Sequence, residues 1–452
     1  MEQDNKILTG TIWKAILSFF FPILIGTFFQ QLYNTIDAAI VGHFADANAL
    51  SSVGGSSGVI INFVVGFFTG LSAGCTVLIS QYYGARDEKR LDAALHTTYA
   101  FGIIGGILFG ALGIIFVPSV LKLMKTPDVL LYQSTLYLRI YFAGLIFVFI
   151  YNLGAAVLRA LGDSKRPLYY LIACTFVNII LDTLFVVIFR LDVLGVALAT
   201  LISQAFSAIL VTYCLMAKTK EAKLVLKKIR LDIDTFIRML RIGLPSGIQS
   251  STYSLSNMFI QSAINTFGVV AVAGWTAESK VDVIFWMING SFGIAAATFV
   301  GQNFGANNMD RVRKGVRTCL AMALTTAIII SGFLLTAGKY MLWLFTTKPE
   351  VIEMGAHMIS LIVPGYFLFA FIEIFASSLR AQGKTLFPTL INISGVVGFR
   401  VIWVMLFTSK GNIDFIIYCY PLSWFICAVM MTVYYFYARR RQLQKELALS
   451  GQ

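Results

Sequence analysis

Charge is what this sequence has least of. Asp, Glu, Lys and Arg make up only 13% of its 452 residues, about half the roughly 25% usual in a soluble domain, while 58% are hydrophobic. A water-soluble chain of this size cannot hide that much apolar surface. Histidine is scarcer still: His43, His96 and His357 stand alone and offer no metal-ligand spacing. The six cysteines, Cys75, Cys174, Cys214, Cys319, Cys419 and Cys427, form no Cys-x-x-Cys pair and lie mostly in apolar runs, where they behave as small hydrophobes. Gly383-Lys384-Thr385 has the tail of a phosphate-binding loop, but Ser378 stands where the leading glycine belongs, and the segment falls between two apolar runs instead of after a strand. Nucleotide-driven and thiol chemistry are therefore excluded. No catalytic residue and no cofactor are expected, and an enzyme is not.

What the sequence does have is long hydrophobic runs. Mean hydropathy is +0.79, and twelve stretches are long enough to cross about 30 Å of hydrocarbon at about 1.5 Å per residue. They centre on residues 13–40, 50–80, 92–117, 130–156, 166–188, 192–217, 234–265, 272–300, 315–337, 351–378, 386–408 and 412–437, helices 1 to 12. The acidic start Met1-Glu2-Gln3-Asp4 and the length of the first run argue against a cleavable signal. The net charge of +13 does not mark a nucleic-acid binder, because the basic residues punctuate the apolar runs instead of sharing one polar face. Assigned to alternate sides, 26 of the 35 Lys and Arg fall on the side of the N-terminus and six opposite. Arg139, Lys280 and Arg400 remain within spans. The bias predicts a multi-pass plasma (inner) membrane protein with both termini cytoplasmic.

The chain repeats itself. A single constant shift lays Gln81-Tyr-Tyr-Gly84-Ala85 on Gln302-Asn-Phe-Gly305-Ala306, Leu158-Arg-Ala-Leu-Gly162 on Leu379-Arg-Ala-Gln-Gly383, and Pro167 on Pro388. The expected fold is all-α: two six-helix lobes related by a pseudo-two-fold axis along the membrane normal, able to expose a cleft to alternate sides by rocking. The expected lobes are residues 1–217 and 234–438, joined by a cytoplasmic linker at 218–233 and followed by a basic tail at 439–452. The repeated segments themselves read as helix ends. Gly84 and Gly305 would supply the left-handed cap, and Arg159 and Arg380 would anchor at the membrane face.

Ionisable residues inside spans cost about 2.5 to 3.5 kcal/mol each at a helix centre and so need a reason. Asp37 in helix 1 and Asp182 in helix 5 are the clearest. Counting from the helix ends places Asp182, Asn178, Thr200 in helix 6 and Tyr137 in helix 4 at a shared depth with Asp37, in the outer half of the first lobe. Two carboxylates, an amide, a hydroxyl and a phenol can hold a hard cation or a proton. Each group taken singly also reads as a hydrogen bond between helices. The positions reached by the same shift are apolar: Phe399 for Asn178 and Trp403 for Asp182. The ion site is therefore expected in one lobe. The second lobe carries Glu278, Lys280 and Asp282 in helix 8, Glu373 in helix 10 and Arg400 in helix 11. Glu278 or Asp282 is expected to pair with Arg400; the alternative is that one of them faces the cleft and meets a cationic substrate.

Pro22, Gln30-Gln-Leu-Tyr-Asn-Thr-Ile-Asp37, Val41-Gly42, the Gln81 and Leu158 segments and Phe299-Val-Gly-Gln-Asn-Phe-Gly-Ala306 together resemble the multidrug and toxic compound extrusion (MATE) transporters over essentially the whole chain. The resemblance implies a secondary antiporter that exports organic cations or other amphipathic compounds in exchange for H⁺ or Na⁺, acting as a monomer in the bilayer. It implies a cation site at Asp37, Asn178, Asp182 and Thr200 with Tyr137 beside it, a helix 1 bend at Pro22, and a substrate cleft drawing on Gln249, Tyr253, Glu278, Asp282 and Arg400. One branch of the family has an acidic residue in helix 7 where Tyr253 stands here, so the chain looks closer to the DinF-like branch. The rival reading is a lipid-linked oligosaccharide flippase of the related superfamily, for which Arg139, Lys280 and Arg400 would serve a pyrophosphate headgroup.

Overall fold

The computed structural model describes residues 6–44, 47–219, 222–408 and 411–450, without the side chains of 47, 48, 50, 445–447, 449 and 450. Lys220 and Lys410, which enter the charge bias, and the last two residues of the expected tail lie outside the described residues. Among those described, the chain is a succession of twelve membrane-length helical stretches. These are α1 (Ile12–Phe44), α2 (Ser51–Gly84), α3 (Glu88–Leu123), α4 (Asp128–Ala143 with Leu145–Ala160), α5 (Lys165–Ile188), α6 (Asp192–Ala217), α7 (Ile233–Asn265), α8 (Val269–Gly305), α9 (Met309–Leu342), α10 (Pro349–Ala381), α11 (Leu386–Phe407) and α12 (Ile413–Gln444). Ten are long and apolar enough to span a bilayer singly, and α4 qualifies as a pair bent by 47°. The bend falls at Gly144 in α4, whereas α1 runs unbroken through Pro22. The remaining stretch, α7, is of spanning length but carries Ser246, Gln249, Ser250, Ser251, Thr252, Ser254 and Ser256 in its middle. Helices take such a sequence across a membrane because their own backbone hydrogen bonds are satisfied within the segment.

The duplication extends to turn chemistry that the sequence alone does not show. The turn after α2 has its left-handed residue at Arg86 (φ 54°) and the turn after α8 at Asn307 (φ 57°), related by the same shift that carries Gln81 onto Gln302. Asp87 and Asn308 then cap the following helices, each side chain accepting the N–H three residues ahead, at 3.0 and 3.2 Å. The expectation that Gly84 and Gly305 supply the left-handed cap is thereby corrected: neither has positive φ. Gly305 is glycine for a different reason, since a Cβ there would sit 1.9 Å from the Gln81 carbonyl oxygen. The left-handed glycines are instead Gly162 (φ 93°) and Gly383 (φ 79°), which follow the ends expected at the Leu-Arg-Ala-x-Gly segments.

Two compact units emerge, and they differ from the two sequence halves. The first comprises Leu17–Gly247 with Met1–Thr9 and Gly305–Asn307; the second comprises Ile248–Phe304 and Asn308–Gln452 with Gly10–Ile16. The division therefore falls inside α7, not in the expected linker at 218–233. That segment packs onto the first unit: Leu224 is buried, the Val225 N–H donates to His96 Nε2 at 3.1 Å, and the Asp232 N–H donates to Thr97 Oγ1 at 3.2 Å. The first half of α7 is held there by a close helix crossing. Gly70 and Gly74 of α2 face Gly243 and Gly247 of α7, and a Cβ at Gly74 would meet the Met239 carbonyl oxygen at 2.2 Å. Small residues four apart let membrane helices approach to backbone contact. The six cysteines are buried and unbridged. Two histidines have structural partners: His96 takes up the linker, and His357 lies 2.7 Å from Asp414.

Candidate functional site

Four helices of the first unit converge on the residues singled out in sequence. Tyr33 and Asp37 lie one turn apart on α1, and Asn178 and Asp182 one turn apart on α5, so each pair shares a helix face. Thr200 comes from α6 and Tyr137 from α4. Asn178 and Asp182 are fully buried, and Thr200 and Tyr137 nearly so. Tyr33 was not singled out in sequence: its hydroxyl donates to Thr200 Oγ1 at 3.2 Å. Its position four residues before Asp37 was the signal available.

The Asp37 and Asp182 carboxyls are immediate neighbours, with Asn178 beside Asp182 and Tyr137 within electrostatic reach of both acids. These approaches stop short of hydrogen-bond geometry. Asp37 Oδ1, both Asp182 oxygens and both polar atoms of the Asn178 amide have no hydrogen-bond partner among the described residues. Among those residues no Lys or Arg forms an ion pair with either acid. Arg139, the nearest cation by sequence depth, is exposed and donates through Nε to the Ile114 carbonyl oxygen at 3.4 Å. Two carboxylates, an amide oxygen and a hydroxyl thus stand together without a counter-charge. That donor set suits a small cation, and the facing carboxyls suit a proton. Immediately after Asp182 the helix widens into a π-helical turn, Thr183–Ile188, an irregularity that frequently accompanies functional positions.

The remaining candidates lie in the second unit. On α7, Gln249 is nearly buried, and Gln249 Oε1 and the Tyr253 hydroxyl have no partner among the described residues. On α8, Glu278 is buried and Asp282 Oδ2 accepts from Trp286 Nε1. The expected ion pair of Arg400 with Glu278 or Asp282 is not formed. The Arg400 guanidinium lies 4.0 Å from the centre of the Tyr420 ring, and its Nε donates to Ser423 Oγ at 2.9 Å. An aromatic face and a hydroxyl satisfy the buried cation in place of a carboxylate. Glu373 is engaged elsewhere, by Arg380 at 3.2 Å and by the Ser377 hydroxyl at 2.8 Å.

The structure is a duplicated array of membrane-length helices with carboxyls that lack an ion-pair partner in both units. The chain belongs to the MatE family, whose model matches it twice, over residues 22–184 and 245–406. The double match is the duplication already visible in the repeated motifs. "Probable multidrug resistance protein YoeA" of Bacillus subtilis (strain 168) is 29% identical over 446 residues, covering 96% of each chain. "Multidrug export protein MepA" of Staphylococcus aureus (strain NCTC 8325 / PS 47) is 23% identical over 443 residues, again 96% of each. In structure, a MATE in the bent conformation superposes with a TM-score of 0.90 at 21% identity, over 99% of this chain and all of that one. The protein is a multi-pass membrane transporter of the MATE family, built of twelve helices in two lobes.

Proposed function

We propose that the protein is a secondary antiporter of the plasma membrane, exporting organic cations or other amphipathic compounds in exchange for H⁺ or Na⁺ bound at Asp37 and Asp182. The observation that carries this reading is the pair of neighbouring carboxyls without a basic partner or hydrogen-bond donor among the described residues. A buried carboxylate in that condition gains most from taking up a cation. Asn178 and Thr200 supply the further oxygens, and Tyr33 orients the Thr200 hydroxyl. The names of the relatives, a multidrug resistance protein and a multidrug export protein, support amphipathic drugs as substrates.

In this reading the protein works as a monomer with both termini cytoplasmic, and its two lobes rock to open alternately. Cation binding at Asp37 draws α1 toward α5 and repacks it near Pro22, where the helix lacks one backbone donor and yields most readily. Substrate and cation need only favour opposite states for the gradient of one to drive the other. The test is efflux of a fluorescent organic cation from proteoliposomes, with pH and sodium gradients imposed separately. At least one gradient must accelerate efflux; efflux indifferent to both would refute antiport.

A further inference from the structure

The second unit holds an acidic pair for which the coupling site has no use. Glu278 and Asp282 lie one turn apart on α8, so their side chains project from the same face. Glu278 is 2% exposed, and neither Glu278 Oε1 nor Asp282 Oδ1 has a hydrogen-bond partner among the described residues. Asp282 Oδ2 is held by the Trp286 N–H. The groups around the pair come from every neighbouring element. On α8 itself, Lys280 is exposed and makes no ion pair with either acid. From α12, Tyr420 lies within electrostatic reach of both carboxyls and of Arg400, with Cys419 beside it. From α11, Arg400 is turned onto the Tyr420 ring and Ser423. From α10, Tyr366 stacks on Phe285 at 3.8 Å and Phe369 packs against Trp286 at 4.8 Å. In that aromatic wall the Tyr366 hydroxyl and Trp424 Nε1, both on side chains no more than 1% exposed, have no partner among the described residues either.

The structure thus leaves two acids one turn apart, Glu278 buried and Asp282 partly exposed, with no cation at ion-pair distance among the described residues. Like charges at that spacing repel, and the repulsion grows where the dielectric is low. We propose that the Glu278–Asp282 pair is a second cation site, selective for a proton, which Glu278 binds and releases separately from Asp37 and Asp182. Binding forms one O–H bond on the Glu278 carboxyl, with Asp282 Oδ1 one turn away as the free acceptor; release returns the proton to water. Sodium does not fit, because it needs several oxygens at once. One Asp282 oxygen already accepts an N–H, and of the unpartnered groups of the wall only the Tyr366 hydroxyl could add an oxygen, with no amide oxygen beside the acids. The first lobe offers the contrast, with Asn178 and Thr200 beside its acids. That this proton moves with substrate rests on the export reading above; that it binds at Glu278 does not.

Infrared spectroscopy of the full-length protein in lipid vesicles separates the two questions. With Asp37→Asn and Asp182→Asn combined, which removes the first-lobe carboxyl signal, the protein should still show a protonated-carboxyl carbonyl band that titrates with pH and ignores sodium. In that background the band should vanish on adding Glu278→Gln. Asp282→Asn keeps an acceptor for Trp286, and should leave the band in place but displace the pH at which it titrates; this variant decides the matter if Glu278→Gln does not fold. In the same background, a band that survives Glu278→Gln, a titration untouched by Asp282→Asn, or a sodium-dependent signal would each overturn the proposal. Loss of antiport in proteoliposomes without loss of the band would count against the export reading alone.

Discussion

At Asp37 and Asp182 the energetics turn on the lack of a counter-charge. Each acid costs about 2.5 to 3.5 kcal/mol to place in the membrane interior, and no basic side chain repays that cost among the described residues. This imbalance is why the two acids were legible in sequence: a charge in an apolar run stands out, and a helix turn of Asn178 to Asp182 shows its face. Tyr33 was passed over because, among Gln30, Gln31, Asn34 and Thr35, it is one polar group of several, and only its spacing to Asp37 sets it apart. Its bond to Thr200 predicts that Tyr33→Phe weakens cation coupling by about 0.5 to 1.5 kcal/mol. The measurement is the concentration of coupling cation that half-saturates transport, expected to rise by roughly 2- to 12-fold with expression unchanged. Arg400 was misjudged for the opposite reason. Depth counting pairs charge with charge, whereas the folded chain offered the cation an aromatic face and a hydroxyl instead.

Among the elements, α7 carries most of what hydropathy could not show. It reads as one helix, yet its two ends belong to different compact units. The fastening is the glycine crossing with α2, visible in sequence only as scattered glycines. Gly74→Leu should overpack that crossing and destabilise the protein by about 1 to 3 kcal/mol or more, lowering the melting temperature of the purified protein. Gly66→Ala, where nothing lies within 4 Å, should leave it unchanged. The start of α7 offers a pH test. Asp232 accepts the Thr235 N–H at 2.9 Å, and its hydrogen bonds with Thr235 hold its carboxyl below the ordinary carboxylate value. A depressed folded value means the cap contributes above about pH 4 and is lost as pH falls through the folded value. Asp232→Ala should therefore cost about 1 kcal/mol near neutrality and progressively less as pH falls below about 4, compared by denaturation at each pH.

For the whole molecule, the legible part was whatever repeats or alternates. Twelve apolar runs, the charge bias and three motifs at one offset led to a duplicated twelve-helix protein, and the family model matches it twice in the same way. The same offset carries the left-handed turns at Arg86 and Asn307 and the caps at Asp87 and Asn308, so the duplication reaches the backbone. The unit boundary was hidden because it depends on which helices touch, not on where polarity rises. The candidate site is asymmetric on this symmetric frame. The offset that preserves helix ends replaces Asn178 and Asp182 by Phe399 and Trp403, and the second unit builds its own charged cluster around Glu278 and Arg400. The central claim is that the first-lobe acids couple a cation gradient to export. It is tested most directly by gradient-driven efflux from proteoliposomes containing wild type, Asp37→Asn or Asp182→Asn. Each variant should lose about tenfold or more of the gradient-driven rate while still binding substrate; undiminished gradient-driven efflux in both would contradict it.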